Sequence, residues 1–448
     1  MKFVFSGKYR KYNEESIIFD CHGRCFSISD TVNKFVTNIF TPKNLIQIYE
    51  TTNLDKCEID DILKCLIKNK MVKILLDNNE NEKYNIIYNV SPKMPISYAI
   101  YPTYKCNQKC IFCYTNSGPS CTTINDMNIN QWKKIIRDII DNGGTSLTIL
   151  GGEPMLNESL LLEIIDICNN NIYVRIFTNG NANGGISKEL AKKISNYPDV
   201  EIIFSVHGDT AKSHDSLVGV KGSFETLFES ADKILKLNNN IVSGNVAVTN
   251  KNVGSLCKIV ELLDKKGFMS IDFKPFSPSG KVKDFLTLAP SPILFKDEVL
   301  KIKEYINNSK SNMVLSYPAR YVHDFELKKD NKFLSEASYR IGGCLGDKEA
   351  IINHNGDVYR CPHVIGKQKY CLGNIKEKSI KDIWINIKWP YERNKEWNSD
   401  PVCNECKYFE ICNGGCSYLS EYVFGTLENG DPYCPKIFEK YGMKKISN

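Results

Sequence analysis

An α/β fold is what the sequence predicts: a partial (β/α)6 barrel, with a smaller strand-and-helix unit before it and a cysteine-dense region after it. Three observations carry this. From Ser97 to about Lys310, short β-rich apolar runs alternate with amphipathic helical patterns, as in a parallel sheet covered by helices. Short motifs rich in Cys, Gly or His follow successive strands. The 18 cysteines are bunched, with three at positions 106–113 and eight at 344–434.

The elements follow in order. "SIIFDCHGRCFSIS" reads as a hairpin turning at His22-Gly23. "SDTVNKFVTNIF", "TPKNLIQIYETTN" and "EIDDILKCLIKNK" read as three short amphipathic helices, the last leading into the strand "MVKILL". Strands with three helices predict a winged helix-turn-helix-like domain over residues 1–77, joined by a polar linker at 78–95. The barrel spans 96–310. Its strands "ISYAIYP", "SLTILGG", "VRIFTNG", "VEIIFSVHG", "SGNVAVTN" and "SIDFKPFSP" are each followed by a helical pattern. Groups that do chemistry in such sheets sit at the C-terminal strand ends. The cysteine triplet, "GGEP", "TNG" and "SVHG" are therefore expected at one mouth. Residues 311–448 read as irregular.

Bulk properties exclude several classes. At 448 residues, with 42% hydrophobic and 25% charged residues, the chain suits two or three globular domains. A net charge of +6 does not demand nucleic acid. No signal-peptide core and no bilayer-length apolar run is seen, so a cytoplasmic protein without a membrane partner is expected. In a reducing compartment so many cysteines point to metal ligation.

Cys106, Cys110 and Cys113 form C-x3-C-x2-C, with Phe112 before the last cysteine. Three thiolates can hold three irons of a cubane cluster and leave the fourth open for a ligand. With Gly151, Gly152, Glu153 and Pro154 one βα unit later, the pattern resembles the radical S-adenosylmethionine (SAM) superfamily. The resemblance implies that the open iron of a [4Fe–4S] cluster binds SAM and that reductive cleavage yields a 5′-deoxyadenosyl radical. It implies that "GGEP" receives the methionine amino group, that Ser205 contacts the cofactor and that Phe112 lies beside the adenine. One departure stands out. Where relatives carry an arginine for the SAM carboxylate, "HDSLV" offers Leu217; Lys212 and Lys221 are the nearby cations.

Cys344-x11-Gly356-x4-Cys361, then Cys403-x2-Cys406-x5-Cys412-x3-Cys416, then Cys434, resembles the SPASM extension of radical enzymes. The alternative is a pair of structural zinc sites. The resemblance implies an outer auxiliary cluster on Cys403, Cys406, Cys412 and Cys434. An inner one falls on Cys344, Cys361 and Cys416, for three [4Fe–4S] clusters in all. Ser338 and Pro362 stand where sulfatase-maturing relatives have a cysteine and an aspartate. The inner cluster is thus either open to a substrate thiolate or completed by Cys371. Cys168, Cys257, Cys57 and Cys65 read as structural, and Cys121 has no assigned role. Cys21, His22 and Cys25 lack a fourth ligand.

The third N-terminal helix opens with acidic residues, unlike a helix that faces phosphates. Placed before a radical–SPASM unit, the domain instead resembles the leader-recognition element of ribosomal peptide maturases. That implies leader binding as an added strand at Arg24, Phe26 and Ile28, beside Ile59, Ile62 and Leu66. The function expected is a sactipeptide- or ranthipeptide-type maturase. It would form a crosslink, first of all a thioether, in a precursor peptide of leader plus core, with a flavodoxin- or ferredoxin-type electron donor. A carbon–carbon crosslink, a small-molecule or folded-protein substrate, and an iron–sulfur DNA-binding regulator are the alternatives.

Overall fold

The computed structural model describes residues 2–5, 8–12, 15–19, 25–68, 71–75, 86–87, 94–169, 171–282, 284–318, 321, 334–336, 349–385 and 400–443.

The barrel strands are β7 (Ser97–Ile100), β8 (Ser146–Ile149), β9 (Tyr173–Thr178), β10 (Val200–Ser205), β11 (Val242–Val248) and β12 (Ser270–Pro275). They pair in sequence order and all in parallel. The helices between them are α4 (Ile129–Asp141), α5 (Glu158–Cys168), α6 (Lys188–Ser195), α7 (Ala211–Val218), α8 (Ser223–Leu235) and α9 (Leu256–Lys266). Helix α7 was not expected. It sits in the loop "TAKSHDSLV", capped by Thr210, before the expected helix α8. The amphipathic faces are spent as expected: Trp132, Ile135, Ile136 and Ile139 of α4 are buried, and Asn128 with Gln131 closes a capping box at its start. Val200, Ile202 and Phe204 of β10 join this core. Strand alternation turns Glu201, Ile203 and Ser205 to the other face, toward the barrel interior.

The region read as irregular contributes to this sheet. After α10 (Phe285–Leu288) and α11 (Pro292–Ser309), β13 (Val314–Ser316) extends it beside β12. At the other edge β15 (Glu349–Ile352) lies parallel to β7, followed by β16 (Asp357–Tyr359) and β17 (Gly373–Asn374), giving ten strands. Gly356 turns the β15–β16 hairpin at φ +95°, where a Cβ would meet Asn374 Oδ1 at 2.9 Å. The glycine in the cysteine motif is therefore a turn requirement that delivers Cys361 just past the end of β16.

The N-terminal unit has its own core, which includes Phe3, Phe5, Val32 and Phe35. It contains β1 (Lys2–Phe5), β2 (Lys8–Tyr12), β3 (Glu15–Phe19), β4 (Cys25–Ile28), α1 (Asp30–Asn38), α2 (Leu45–Thr52), α3 (Lys56–Lys68), β5 (Val72–Leu75) and β6 (Ile86–Ile87). The three helices form as expected, but the strands divide between two sheets. β1 pairs with β5 and is held to the α1–α2 connection by Phe3 N–H to Lys43 O at 2.7 Å. β2, β3 and β4 form a separate antiparallel sheet. The stretch read as a linker adds β6 to β2, because Ile86 and Ile87 give it a short apolar run.

Ile59, Ile62 and Leu66 are each 0% exposed and packed in the N-terminal core. One further expectation is corrected. Cys57 is exposed in the first turn of α3 rather than buried.

Candidate functional site

The cysteine loop follows β7 and is clamped from several sides. From the β8 loop, Gly152 N–H donates to Thr103 O at 2.8 Å and Glu153 N–H to Lys105 O at 2.9 Å. A Cβ on Gly151 (φ +129°) would lie 2.5 Å from Thr103 O, and one on Gly152 only 2.0 Å from Lys105 O. Both positions thus require glycine. Glu153 is 1% exposed. Its carboxylate accepts from Thr178 Oγ1 (2.8 Å), Met155 N–H (3.0 Å) and Asn179 N–H (2.7 Å), which bolts the β8 loop to the β9 loop. Burial pushes its pKa up to about 7 against these stabilising donors. Pro154 starts a short 3-10 turn behind it.

The β9 loop reaches Cys106 through Asn179, whose Nδ2 donates to Cys106 Sγ at 3.8 Å and to Asn107 Oδ1 at 2.8 Å. Backbone N–H groups of Gln108 and Ser117 point at Cys106 Sγ (3.4 Å) and Cys113 Sγ (3.3 Å). Burial pushes the Cys106 thiol up to about 12 and the Cys110 thiol higher. Such desolvated sulfurs are suited to thiolate character only with a cationic metal on them.

From the far side, α7 pairs with the same loop: Lys109 N–H donates to Val218 O (2.9 Å) and Ile111 N–H to Leu217 O (3.0 Å). Leu217 is 2% exposed, and Lys212 and Lys221 lie at the surface. A cation that the sequence reading missed does reach the loop. Lys281, after β12, donates from its backbone to Cys113 O and from Nζ to Cys110 O, both at 3.1 Å. Gly280 (φ +67°) permits this, since a Cβ there would be 2.3 Å from Cys113 O. Its signal in the sequence was the "SPSGK" turn at the sixth strand end.

Phe112 stands edge-to-face on His207, with ring centroids 4.7 Å apart. His207 was also missed, although it lies in "SVHG". Its Nδ1 accepts from Ala247 N–H at 3.1 Å, and burial keeps the ring neutral by driving its pKa well below the usual histidine range. Ser205 ends β10 in register with Asn245. Asn245 Oδ1 and Ser277 Oγ are buried with no hydrogen-bond partner. A glycine-only cradle, three clustered thiols and these two orphaned polar atoms fit a cluster carrying a polar ligand.

In the C-terminal region Cys403, Cys406, Cys412 and Cys434 line one cavity, together with Tyr321, Val402 and Phe409. Gly430 leaves room for it, since a Cβ there would touch Cys403 Sγ at 2.7 Å. Burial lifts the Cys434 thiol to about 11. Four thiols around an apolar cavity fit a fully ligated iron–sulfur cluster. Among the described residues, no three Cys, His, Asp or Glu side chains converge closely enough to hold a single metal ion.

Cys361 and Cys416 both lie beside Tyr418. Tyr418 OH donates to Pro278 O (3.3 Å), Tyr433 OH to Phe276 O (2.6 Å) and Ser279 Oγ to His363 O (3.2 Å). These bonds dock the cysteine-rich region on the loop after β12, at the barrel mouth. Cys344, Ser338, Arg24, Cys21 and His22 lie outside the described residues. Cys371 Sγ donates to Gly373 O at 3.4 Å in its own turn. Phe26 and Ile28 lie on β4, paired on one side with β3 and on the other with β14 (Leu334–Glu336).

Comparison with known proteins agrees with this geometry. The radical SAM superfamily matches residues 100–263, and the SPASM iron–sulfur cluster-binding domain matches 344–407. An uncharacterised protein of Methanocaldococcus jannaschii is 30% identical over 303 residues, covering 65% of this chain and 91% of that one. The mycofactocin maturase MftC of Mycobacterium tuberculosis is 25% identical over 335 residues, covering 74% and 81%. The crystal structure of Streptococcus suis SuiB bound to precursor peptide SuiA superposes with TM-score 0.68 at 20% identity, covering 97% of this chain and 100% of that one.

Proposed function

Because the chain belongs to the radical SAM superfamily and carries a SPASM domain, we propose that it is a maturase that crosslinks a ribosomally made precursor peptide. As such an enzyme it uses SAM, a [4Fe–4S] cluster and auxiliary iron–sulfur clusters. Cys106, Cys110 and Cys113 hold the first cluster. Cys403, Cys406, Cys412 and Cys434 hold the outer auxiliary cluster, and Cys344, Cys361 and Cys416 the inner one. Bound there, these groups supply a 5′-deoxyadenosyl radical and an acceptor for the electron that bond closure releases.

The protein's own groups do the positioning. Glycines 151 and 152 let backbone replace side chain beside the cysteine loop. Asn179 and the N–H groups of Gln108 and Ser117 steady the sulfurs. Phe112 against His207 walls the mouth, and Lys281 supplies the cation that "HDSLV" lacks, for the SAM carboxylate.

The observation that carries the peptide reading is the N-terminal unit. Its strands and three helices are fused ahead of the barrel, and the fold similarity to SuiB, solved with a precursor peptide, runs through it. A thioether is the bond proposed, with an unmodified carbon and a substrate cysteine as partners. The chain works in the cytoplasm with a flavodoxin- or ferredoxin-type donor. Among the described residues no helix is long and apolar enough to cross a membrane. Co-expression with small peptides encoded beside the gene, followed by mass spectrometry, tests this. The expected product has lost two hydrogens per crosslink, and one cysteine no longer alkylates. Peptides that are never altered, with turnover of a small molecule instead, would replace this reading.

A further inference from the structure

We propose that Gln108 is a positioning residue for the first cluster: oriented by Ser223 and His214, its side-chain amide donates to the Cys110 thiolate and makes that cluster easier to reduce. This rests only on Cys106, Cys110 and Cys113 holding the cluster, and not on the identity of the substrate.

Gln108 brackets two of the three sulfurs. Its backbone N–H points at Cys106 Sγ at 3.4 Å. One end of its side-chain amide lies 3.4 Å from Cys110 Sγ, and the other lies 2.7 Å from Ser223 Oγ. Ser223 Oγ in turn lies 3.3 Å from His214 Nε2. Gln108 is 3% exposed, and Ser223 and His214 are 0% exposed, so the chain of groups is closed to bulk water. Helix ends hold it in place. His214 lies on α7, which Thr210 caps. Ser223 opens α8, and the flanking N–H groups of Gly222 and Phe224 donate to the Asp215 carboxylate at 2.6 and 2.9 Å.

The far end of the chain sets its direction. His207 N–H donates to His214 Nδ1 at 3.1 Å. Nδ1 is thus an acceptor, and the neutral ring carries its proton on Nε2, which donates to Ser223 Oγ. Burial keeps the ring neutral by lowering its pKa to about 4. While Cys110 is a thiol, its S–H donates to Gln108 Oε1, and Gln108 Nε2 donates to Ser223 Oγ. Ser223 then receives two donors, and among the described residues its own proton meets no acceptor.

Iron ligation removes the thiol proton. Gln108 Oε1 would then face a sulfur anion. A half-turn of the amide about its last bond exchanges Oε1 and Nε2 in the same space. Nε2–H then donates to the Cys110 sulfur, Ser223 O–H donates to Oε1, and His214 Nε2–H still donates to Ser223 Oγ. Every member of the buried chain is satisfied in this arrangement, and the Ser223 proton is stranded in the other. The wiring therefore matches a thiolate at Cys110. Hydrogen bonds to the sulfurs help set the potential of an iron–sulfur cluster, because a donor stabilises the negative charge that reduction adds.

Potentiometric titration of the full, anaerobically reconstituted chain tests this. The reduced-cluster signal that SAM shifts is followed by electron paramagnetic resonance. Gln108→Leu is of similar size and removes the amide. It is expected to hold the same iron and to lower that cluster's one-electron reduction constant about tenfold, which is about 59 mV toward more negative potential. Ser223→Ala leaves the amide but removes the group that orients it, and a shift of about threefold in the same direction is expected. Should Gln108→Leu lose iron, Ser223→Ala decides alone. Potentials that are unchanged or raised overturn the relay and leave the cluster assignment standing. A parent chain with no SAM-responsive signal overturns the cluster assignment, and the relay with it.

Discussion

The two cysteine-rich regions solve different problems. In the barrel loop three thiols are surrounded by groups that have something left to give: backbone at two obligatory glycines, an exposed lysine, and the unpaired Asn245 Oδ1 and Ser277 Oγ in the barrel. In the C-terminal region four thiols line one cavity whose other walls include Tyr321, Val402 and Phe409. With the ligand sets proposed, the first arrangement would leave a coordination position and polar partners for a ligand, and the second would close on itself. On that proposal, ligand count and surroundings separate a site that binds a reactant from one that holds or passes an electron.

The largest effect that would break this contrast is loss of one set at a time. Replacing Cys106, Cys110 and Cys113 by Ala should remove all SAM cleavage while keeping about eight of about twelve irons. Replacing Cys403, Cys406 and Cys412 should leave uncoupled SAM cleavage measurable and abolish crosslinking. Iron analysis and 5′-deoxyadenosine release check both.

Gly152→Ala comes next. Its new Cβ would sit 2.0 Å from the Lys105 carbonyl, backbone that cannot rotate away. The expected cost is about 1–3 kcal/mol of stability, with loss of most SAM cleavage, read by thermal melting and product assay.

Glu153 gives a pH signature. Its folded pKa, raised by burial to about 7, lies above the ordinary 4.5. Its contribution is therefore fully present below about pH 4.5 and lost as pH rises through 7, by roughly 3 kcal/mol. Glu153→Gln should be destabilised most at the acid end, and the gap to the parent should narrow toward neutral pH. A gap that stays constant from pH 5 to 8 would contradict this.

Lys281→Met should weaken SAM binding about tenfold with iron content unchanged. The smallest effect is Cys371→Ala, which should retain iron content and crosslinking, since its thiol is engaged with Gly373 O. Loss of one cluster in that variant would make it the missing inner ligand.

Much of this was legible in the sequence. Strand–helix periodicity marks all six barrel units, because buried parallel strands must be apolar on both faces. The motifs "GGEP", "TNG" and "SVHG" announced the mouth because each follows a strand. What was not legible depends on tertiary approach. Lys281 is one of many lysines until Gly280 brings it against Cys113. Ile59, Ile62 and Leu66 look like any apolar helix stripe, and only packing shows that it faces a core. β13 and β15 to β17 were missed because two to four residues carry too little periodicity to register, and their order comes from neighbours already in place. The same holds for β14, whose pairing with β4 joins segments far apart in sequence.

The claim that one cysteine set is open and the other closed is tested most directly by electron paramagnetic resonance of the reduced chain with and without SAM. It is read in one variant keeping only Cys106, Cys110 and Cys113 and in another keeping, of the proposed cluster ligands, only Cys403, Cys406, Cys412 and Cys434. SAM is expected to shift the signal of the first and leave the second unchanged. An unshifted first signal, or a shift in the second, would contradict the account.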